Sequence, residues 1–364
     1  MSKSHGRISD VEIRPTAVFM TDGRPPGDID NIKKRAREYC MKSFYLIVNY
    51  DKPQAAASAD MVCKFLESHG ATVDYCEQDS QVHPHGKPCP ADEADDTDEA
   101  GDADNALSSE QRLQTGAQPA PDSDGNANYL YTDPASVPDD TDCILVFGGD
   151  GSIIQAARDL RGTDIPLLGI NMGYLGYLAQ LGKDDDIEKA MMELLLDSYT
   201  VESRMMLDGT IHHGGKSYSD IALNDIVLSK LGTNVARFEL FINDRLIAKY
   251  SADGMIISTP TGSTAYNLSA GGPIAMPESE LMILTPVAPH MLASRSIVLP
   301  VGSDVKIRIA DDTRVKQVVS FDGDTIIPLV AGDTIDISIS KKKTRLIQLD
   351  ESTSFLDNIN SRLK

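Results

Sequence analysis

Apolar residues fall into two textures along this chain, and the change comes near residue 200. Before it, short continuous apolar runs alternate with stretches of helical period. Residues 44–49 and 143–147 are apolar nearly throughout, as strands buried on both faces are. Residues 54–69 carry an apolar stripe through Ala57, Met61 and Phe65, with Gly70 placed to end the helix. Residues 72–76 read as a second strand, and strand–helix–strand order predicts a parallel sheet. Residues 165–170 predict a further strand, and 186–196 a helix with Ile187, Ala190, Met191, Leu194 and Leu195 on one face. Beyond about Thr200 the runs are short and alternating, separated by turn residues: 218–223, 225–229, 237–242, 255–258, 296–299, 305–309, 315–321 and 334–340. This is sandwich-like sequence. Residues 344–349 read as a strand and 355–363 as a short helix.

The expected fold class is therefore α+β with two domains: an N-terminal α/β domain with a parallel sheet, and a C-terminal β-sandwich-like domain. The first would span residues 41–200 and the second 201–343. Two segments depart from both textures. Residues 1–40 are polar and aperiodic and read as a flexible leader. Residues 78–140 are poor in apolar residues and strongly acidic, and such composition cannot bury enough surface to offset ordering entropy. They are expected to be a disordered acidic insertion.

Charge sharpens this picture. The chain has 34 basic and 55 acidic residues, a formal net charge of −21. Sixteen of the acidic residues and only two of the basic ones lie between Asp79 and Asp142. An acidic chain argues against nucleic acid or an anionic membrane surface as a partner. No apolar run approaches the ~20 residues of a membrane helix, and the N-terminus lacks the apolar run of a signal peptide. The five cysteines are odd in number and show no zinc spacing, so a reduced, cytoplasmic protein is expected.

Candidate chemistry concentrates in two stretches. Gly148-Gly149-Asp150-Gly151 follows the strand 143–147, with Ser152 read as the N-cap of a helix over 153–160. Glycines there permit unusual backbone angles and close approach. A glycine turn entering a helix offers backbone N–H groups and a positive dipole end to a phosphate. Asp150 is the only charge in the turn. A carboxylate beside a phosphate needs a reason, such as removing a proton from a nucleophile. The same four residues also read as an ordinary strand–helix turn with Asp150 as a solvated cap. The second stretch, residues 258–273, crowds Ser258, Thr259, Thr261, Ser263, Thr264 and Ser269 with three glycines and one aromatic, Tyr266. Hydroxyls and backbone amides at this density suit phosphate and sugar oxygens.

Together with Asn224-Asp225, these two stretches resemble the NAD kinases, ATP- or polyphosphate-dependent. The resemblance covers roughly residues 41–78 and 140 to the C-terminus. It implies an α/β domain, a β-sandwich domain, a site between them, and residues 344–364 returning to the first domain. It implies Asp150 as general base toward the 2′-hydroxyl of the adenosine ribose of NAD, with Gly148, Gly149 and Gly151 against phosphates. Gly151 would also lie against the ribose. It implies Asn224 and Asp225 on ribose hydroxyls, Asp253 at the nicotinamide end, and Thr264, Ala265, Tyr266, Asn267, Leu268 and Ser269 along the adenosine pocket. Tyr177, where the family usually carries Phe, and Asp322, in a hairpin, are the remaining NAD-binding candidates. No residue is assigned as a metal ligand. Neither glycine motif contains Lys or Arg, so Mg²⁺ or another divalent cation on the phosphates is the expected neutralising charge. A homo-oligomer, dimer or tetramer, is implied. Ser152 for Thr, Asp225 for Glu and Ser251 where some members carry Arg are departures from the family pattern. Two other readings stand beside this one: a lipid or sugar kinase sharing only the glycine turn, and a dinucleotide-binding sensor without catalysis. The absence of Gly-x-x-x-x-Gly-Lys-Ser/Thr excludes a P-loop kinase.

Overall fold

The computed structural model describes residues 41–75, 132–171, 176–182, 185–291, 294–349 and 355–362. The leader, nearly all of the acidic stretch, Cys40, Cys76 and Cys89 lie outside these. The chain opens with β1 (Ser43–Val48), α1 (Pro53–Ser68) and β2 (Thr72–Tyr75). After the gap come β3 (Cys143–Gly148), α2 (Asp150–Asp159), β4 (Leu167–Asn171) and α3 (Ile187–Leu195). Strands pair in parallel in the order β2-β1-β3-β4. All six residues of β3 are buried. Its side chains alternate between two cores, as period two requires. Cys143, Leu145 and Phe147 meet α1 and α3, while Ile144 and Val146 meet α2. Pro53 occupies the first turn of α1, where its missing N–H costs nothing, and Gly70 past its end has φ +84°.

Residues 132–140, expected to belong to the disordered insertion, are packed instead. The Thr132 N–H donates to Asp159 Oδ2 at 3.0 Å, the Ser136 hydroxyl meets Tyr45 Oη at 2.8 Å, and Val137 joins the core beside α2. Averaging over a long acidic window hid these few anchored residues.

The second half contains β5 (Tyr199–His213), β6 (Lys216–Ala222), β7 (Asp225–Leu231), β8 (Ala236–Ile242), β9 (Arg245–Ala252) and β10 (Gly254–Ser258). A 3-10 turn, Thr261–Thr264, leads into α4 (Tyr266–Ser269). Then follow β11 (Leu281–Val287), β12 (Ile297–Pro300), β13 (Val305–Ile309), β14 (Lys316–Phe321), β15 (Thr325–Leu329), β16 (Thr334–Leu349) and α5 (Phe355–Arg362). One sheet runs β12-β11-β10-β7-β14-β15, all antiparallel. The other extends the parallel sheet through β16, β13, β8 and β9, with β5 paired to β16 and β6 to β5. Side chains from both sheets share one core, including Phe238, Met255, Ile257, Ile307, Phe321 and Ile335. The expected fold class, α/β followed by sandwich, is what the molecule adopts. The reading of 334–340 and 344–349 as separate strands is corrected: they form one strand with an irregularity between Ile339 and Lys343. Its first half pairs with β13, and Leu346 near its end pairs with Leu167 of β4.

Candidate active site

Helix α2 starts three residues earlier than the sequence reading placed it. Gly149, extended at φ −125°, is the N-cap, and Asp150 is the first helical residue. Ser152 is therefore inside the helix rather than its cap, and its hydroxyl accepts from Asn49 Nδ2 at 3.0 Å. None of the three turn glycines has positive φ, and Gly148 is needed for space rather than for left-handed backbone. A Cβ on Gly148 would collide with Ser152, and one on Gly149 would lie 2.9 Å from Lys52 Nζ. A Cβ on Gly151 would meet nothing within 4 Å, so that side of the turn is open.

Asp150 is half-buried, and its carboxylate is aimed by backbone. Oδ2 accepts from the Tyr177 N–H at 2.7 Å; Oδ1 accepts from Leu178 at 3.3 Å and Ala179 at 3.4 Å. These amides are held by pairing with β4, where Asn171 N–H donates to Leu181 O at 2.7 Å and Gln180 N–H to Gly169 O at 3.0 Å. The carboxylate lies directly over Gly176, where any Cβ would overlap it. Tyr177 thus reaches Asp150 through its main chain, while its ring sits 6.2 Å from that of Phe355 in α5.

Leu223 and Asn224 join β6 to β7, and Asp225 is the first residue of β7. Asp322 occupies the hairpin between β14 and β15, where it and Gly323 have φ of 51° and 76°, the left-handed pair of a type I′ turn. Its buried carboxylate accepts from three consecutive amides: Leu223 at 2.8 Å, Asn224 at 2.7 Å and Asp225 at 3.0 Å. Behind it lies Arg158 of α2, 4% exposed. Arg158 donates to Asp220 at 2.7 Å, Thr325 Oγ1 at 2.7 Å, Asp324 at 3.3 Å and Ile221 O at 3.2 Å, and stands 3.8 Å from Asp322. Asp150 and Arg158 begin and nearly end one helix, about 12 Å apart along its axis at ~1.5 Å per residue. One rigid element thus joins the glycine turn to the 223–225 segment. Burial works to lower the Arg158 pKa, but Asp220, Asp322 and Asp324 outweigh it and raise it. Burial raises the Asp322 pKa against the pull of Arg158 and the amides. Asp225, buried beside Asp322, is pushed up to about 7 by burial first and then by that neighbouring charge.

The glycine-rich stretch packs on the same segment. Thr259 N–H donates to Asn224 O at 2.8 Å, Thr259 Oγ1 to Leu223 O at 2.6 Å, and Gly262 abuts the Asn224 backbone where a Cβ would clash. Asn267 is buried, its amide committed to Ser263 O and Pro273 O, both at 3.0 Å, and to the Thr285 hydroxyl at 2.7 Å. Tyr266 is 45% exposed and Ser269 is exposed, while Thr264, Ala265 and Leu268 are half-buried beside them. Asp253 pairs with Lys230 at 2.6 Å. Among the described residues no three His, Cys, Asp or Glu side chains cluster as a metal site. No helix among them is long and apolar enough to cross a membrane.

Residues 44–199 match the model of the ATP-NAD kinase N-terminal domain, and residues 223–349 that of the ATP-NAD kinase C-terminal domain. The chain belongs to the NAD kinase family. A relative from Lachnoclostridium phytofermentans named NAD kinase is 35% identical over 322 residues, covering 86% of this chain and 96% of its own. The NAD kinase of Pseudomonas paraeruginosa is 43% identical over 208 residues, covering 57% of this chain and 70% of its own. Among solved structures, yeast NADH kinase complexed with NADH superposes with a TM-score of 0.64 at 23% identity, covering 90% of this chain and 88% of that one. An Archaeoglobus fulgidus NAD kinase in complex with ATP gives 0.59 at 18%, covering 88% and 97%. At those identities the likeness speaks for the NAD kinase fold. Sequence reasoning missed Arg158, Asp220, Gly176 and Lys52. An arginine beside Ala156 and Ala157 in a helix's buried stripe was the one available signal. The others are brought in from distant positions by the fold.

Proposed function

We propose that this NAD kinase family member transfers the terminal phosphoryl group of ATP to the 2′-hydroxyl of the adenosine ribose of NAD, giving NADP. The observation that carries the reading is Asp150: a half-exposed carboxylate, fixed by three amides, at the entrance of a helix whose dipole favours phosphate. In the step, the 2′-oxygen bonds to the terminal phosphorus and its proton passes to Asp150. The bond from that phosphorus to the bridging oxygen breaks, and its electron pair leaves with the diphosphate. Phosphoryl transfer needs mainly positioning and charge neutralisation. Gly148 and Gly149 bring main chain close to the phosphates, and Gly151 leaves room for the ribose. Mg²⁺ enters as part of the MgATP substrate, screening the phosphate oxygens it rides on.

On the sandwich side, Asn224 and Asp225 grip ribose hydroxyls, and Thr264, Ala265, Tyr266, Leu268 and Ser269 line the adenosine pocket. Asp322 and Asn267 have their polar atoms engaged within the protein, so they frame this wall. Asp253, with Lys230, lies toward the nicotinamide end. A lipid or sugar kinase reading uses only the glycine turn and leaves residues 258–273 without a role. A non-catalytic sensor leaves the aimed carboxylate without one. The test is a coupled assay for NADP and NADPH formation with NAD or NADH as acceptor and ATP or polyphosphate as donor. NADP formed from NAD and ATP in the presence of Mg²⁺ is the expected result. No 2′-phosphorylation with any of the four pairs would overturn the reading.

A further inference from the structure

The glycine turn carries no cation of its own, but the fold delivers one. Lys52, the residue before Pro53, is half-buried and its side chain makes no cap for α1. Its Nζ stands 2.9 Å from where a Cβ of Gly149 would lie. Among the described residues the ammonium has no acidic partner and no hydrogen-bond acceptor. Its position is set by Asn49, which knits the two turns together. The Asn49 N–H donates to Phe147 O at 2.9 Å, and its amide donates to Ser152 Oγ at 3.0 Å. Asn49 O accepts from the Lys52 N–H at 3.1 Å, and Asn49 Oδ1 from the Asp51 N–H at 3.1 Å. Lys52 is a half-buried lysine whose ammonium has no counter-charge among the described residues; beside Gly149, the neighbour of Asp150, it is placed for an anion that arrives with the substrates.

We propose that Lys52 binds the phosphates of the phosphoryl donor at the glycine turn and neutralises charge on them during transfer. This rests on the kinase reading above. The phosphate nearest Asp150 must be the one that meets the 2′-hydroxyl, so the polyphosphate chain beside Gly149 belongs to the donor. The diphosphate of NAD is the rival source of the same chemistry. A Cβ on Gly149 would press on the ammonium, the mobile end of a flexible side chain, and shift it from this position.

The test uses the full chain with Lys52→Met and Lys52→Arg. Losing a charge-assisted hydrogen bond is expected to lower kcat/KM for ATP by about 10- to 100-fold. KM for NAD at saturating ATP should stay within about twofold, and Lys52→Arg should recover part of the loss. The deficit should shrink as salt rises. Calorimetric binding of inorganic tripolyphosphate should weaken in Lys52→Met, with the thermal unfolding midpoint unchanged because the side chain caps nothing. A rise in KM for NAD alone, or kinetics like those of the wild type, would overturn the proposal and leave the kinase reading standing. Should the wild type phosphorylate no acceptor, the kinase reading falls, and equal tripolyphosphate binding by wild type and Lys52→Met would overturn the lysine proposal as well.

Discussion

Asp150 accepts hydrogen bonds from the amides of three consecutive residues, 177 to 179, and Asp322 accepts from three consecutive amides at 223 to 225. The local device is the same, yet the surroundings differ. Asp150 is half-exposed beside the open face of Gly151, with no cation paired to it among the described residues. The Asp322 side chain is 1% exposed and backed by Arg158. A triplet of amides fixes where a carboxylate points. Access to solvent and the presence of a counter-charge then decide what it can do. Asp150, with access and no paired cation, can take a proton from a substrate; Asp322, enclosed and backed by Arg158, holds the frame.

The sharpest way to break this contrast is to neutralise each carboxylate. Asp150→Asn keeps the size of the side chain but loses the base, so kcat should fall roughly 10²–10⁴-fold. The NH2 that replaces one carboxylate oxygen cannot accept from a backbone amide, so urea unfolding should show a loss of about 1–2 kcal/mol, smaller than that of Asp322→Ala. Turnover close to that of the wild type would remove Asp150 from the chemistry. The partner experiment, Asp322→Ala, should do the reverse. It leaves Arg158 with less compensation and three amides without their acceptor. Breaking such a buried set costs about 3–5 kcal/mol, visible as a lower urea midpoint. The folded fraction at saturating NAD should retain most of its kcat. A stable Asp322→Ala protein with Asp150-like loss of turnover would invert the comparison.

A smaller effect tests the aiming of Asp150 rather than its charge. Gly176→Ala inserts a methyl group into the space the carboxylate occupies. A displacement near 1 Å can cost about 10²-fold in rate. The expected signature is a reduced kcat with KM for NAD little changed. Unaltered kcat would mean that the carboxylate relocates freely and that the three amides do not aim it.

The contrast between the two carboxylates also marks what the sequence could reveal. Asp150 was legible because it sits inside its own motif, as a charge among glycines after an apolar strand. Asp322 was legible only as an Asp-Gly hairpin, since the three amides it serves are about a hundred positions away. Arg158 and Asp220 gain meaning only when α2 and β6 come together. The parallel strands were readable because burial on both faces leaves continuous apolar runs. Four strands were missed by pattern, β5, β9, β11 and β15, and three of them have physical reasons. β9 is largely exposed, β11 contains Pro286 and β15 contains Pro328, and proline weakens a strand assignment. β15 tolerates its proline as an edge strand. The long ribbon of β5 and β16 joins the two domains in one sheet, where a boundary near residue 200 had been expected.

Asp225 lies between the two cases, buried like Asp322 but pushed up to about 7 by burial and by the Asp322 charge. Its pKa is higher folded than unfolded, so between the two values the native state holds a proton that the unfolded chain has released. Stability from this group is present at low pH and is lost as pH rises toward 7. Each pH unit in that window is worth about 1.4 kcal/mol, so from about pH 5.5 to 7 the group removes about 2 kcal/mol. Asp225→Asn keeps the shape of the protonated acid and cannot ionise. Its stability relative to the wild type should therefore increase from about pH 5.5 to 7 and level off above. Asp322 has a raised pKa as well, but it is common to both proteins and drops out of the difference to first order. Urea unfolding of the pair across this range checks the sign and the size. A constant gap would show that Asp225 ionises in the fold as freely as in the unfolded chain. In that case its neighbour's charge would be screened, and the distinction between an accessible and an inaccessible carboxylate would need a cause other than burial.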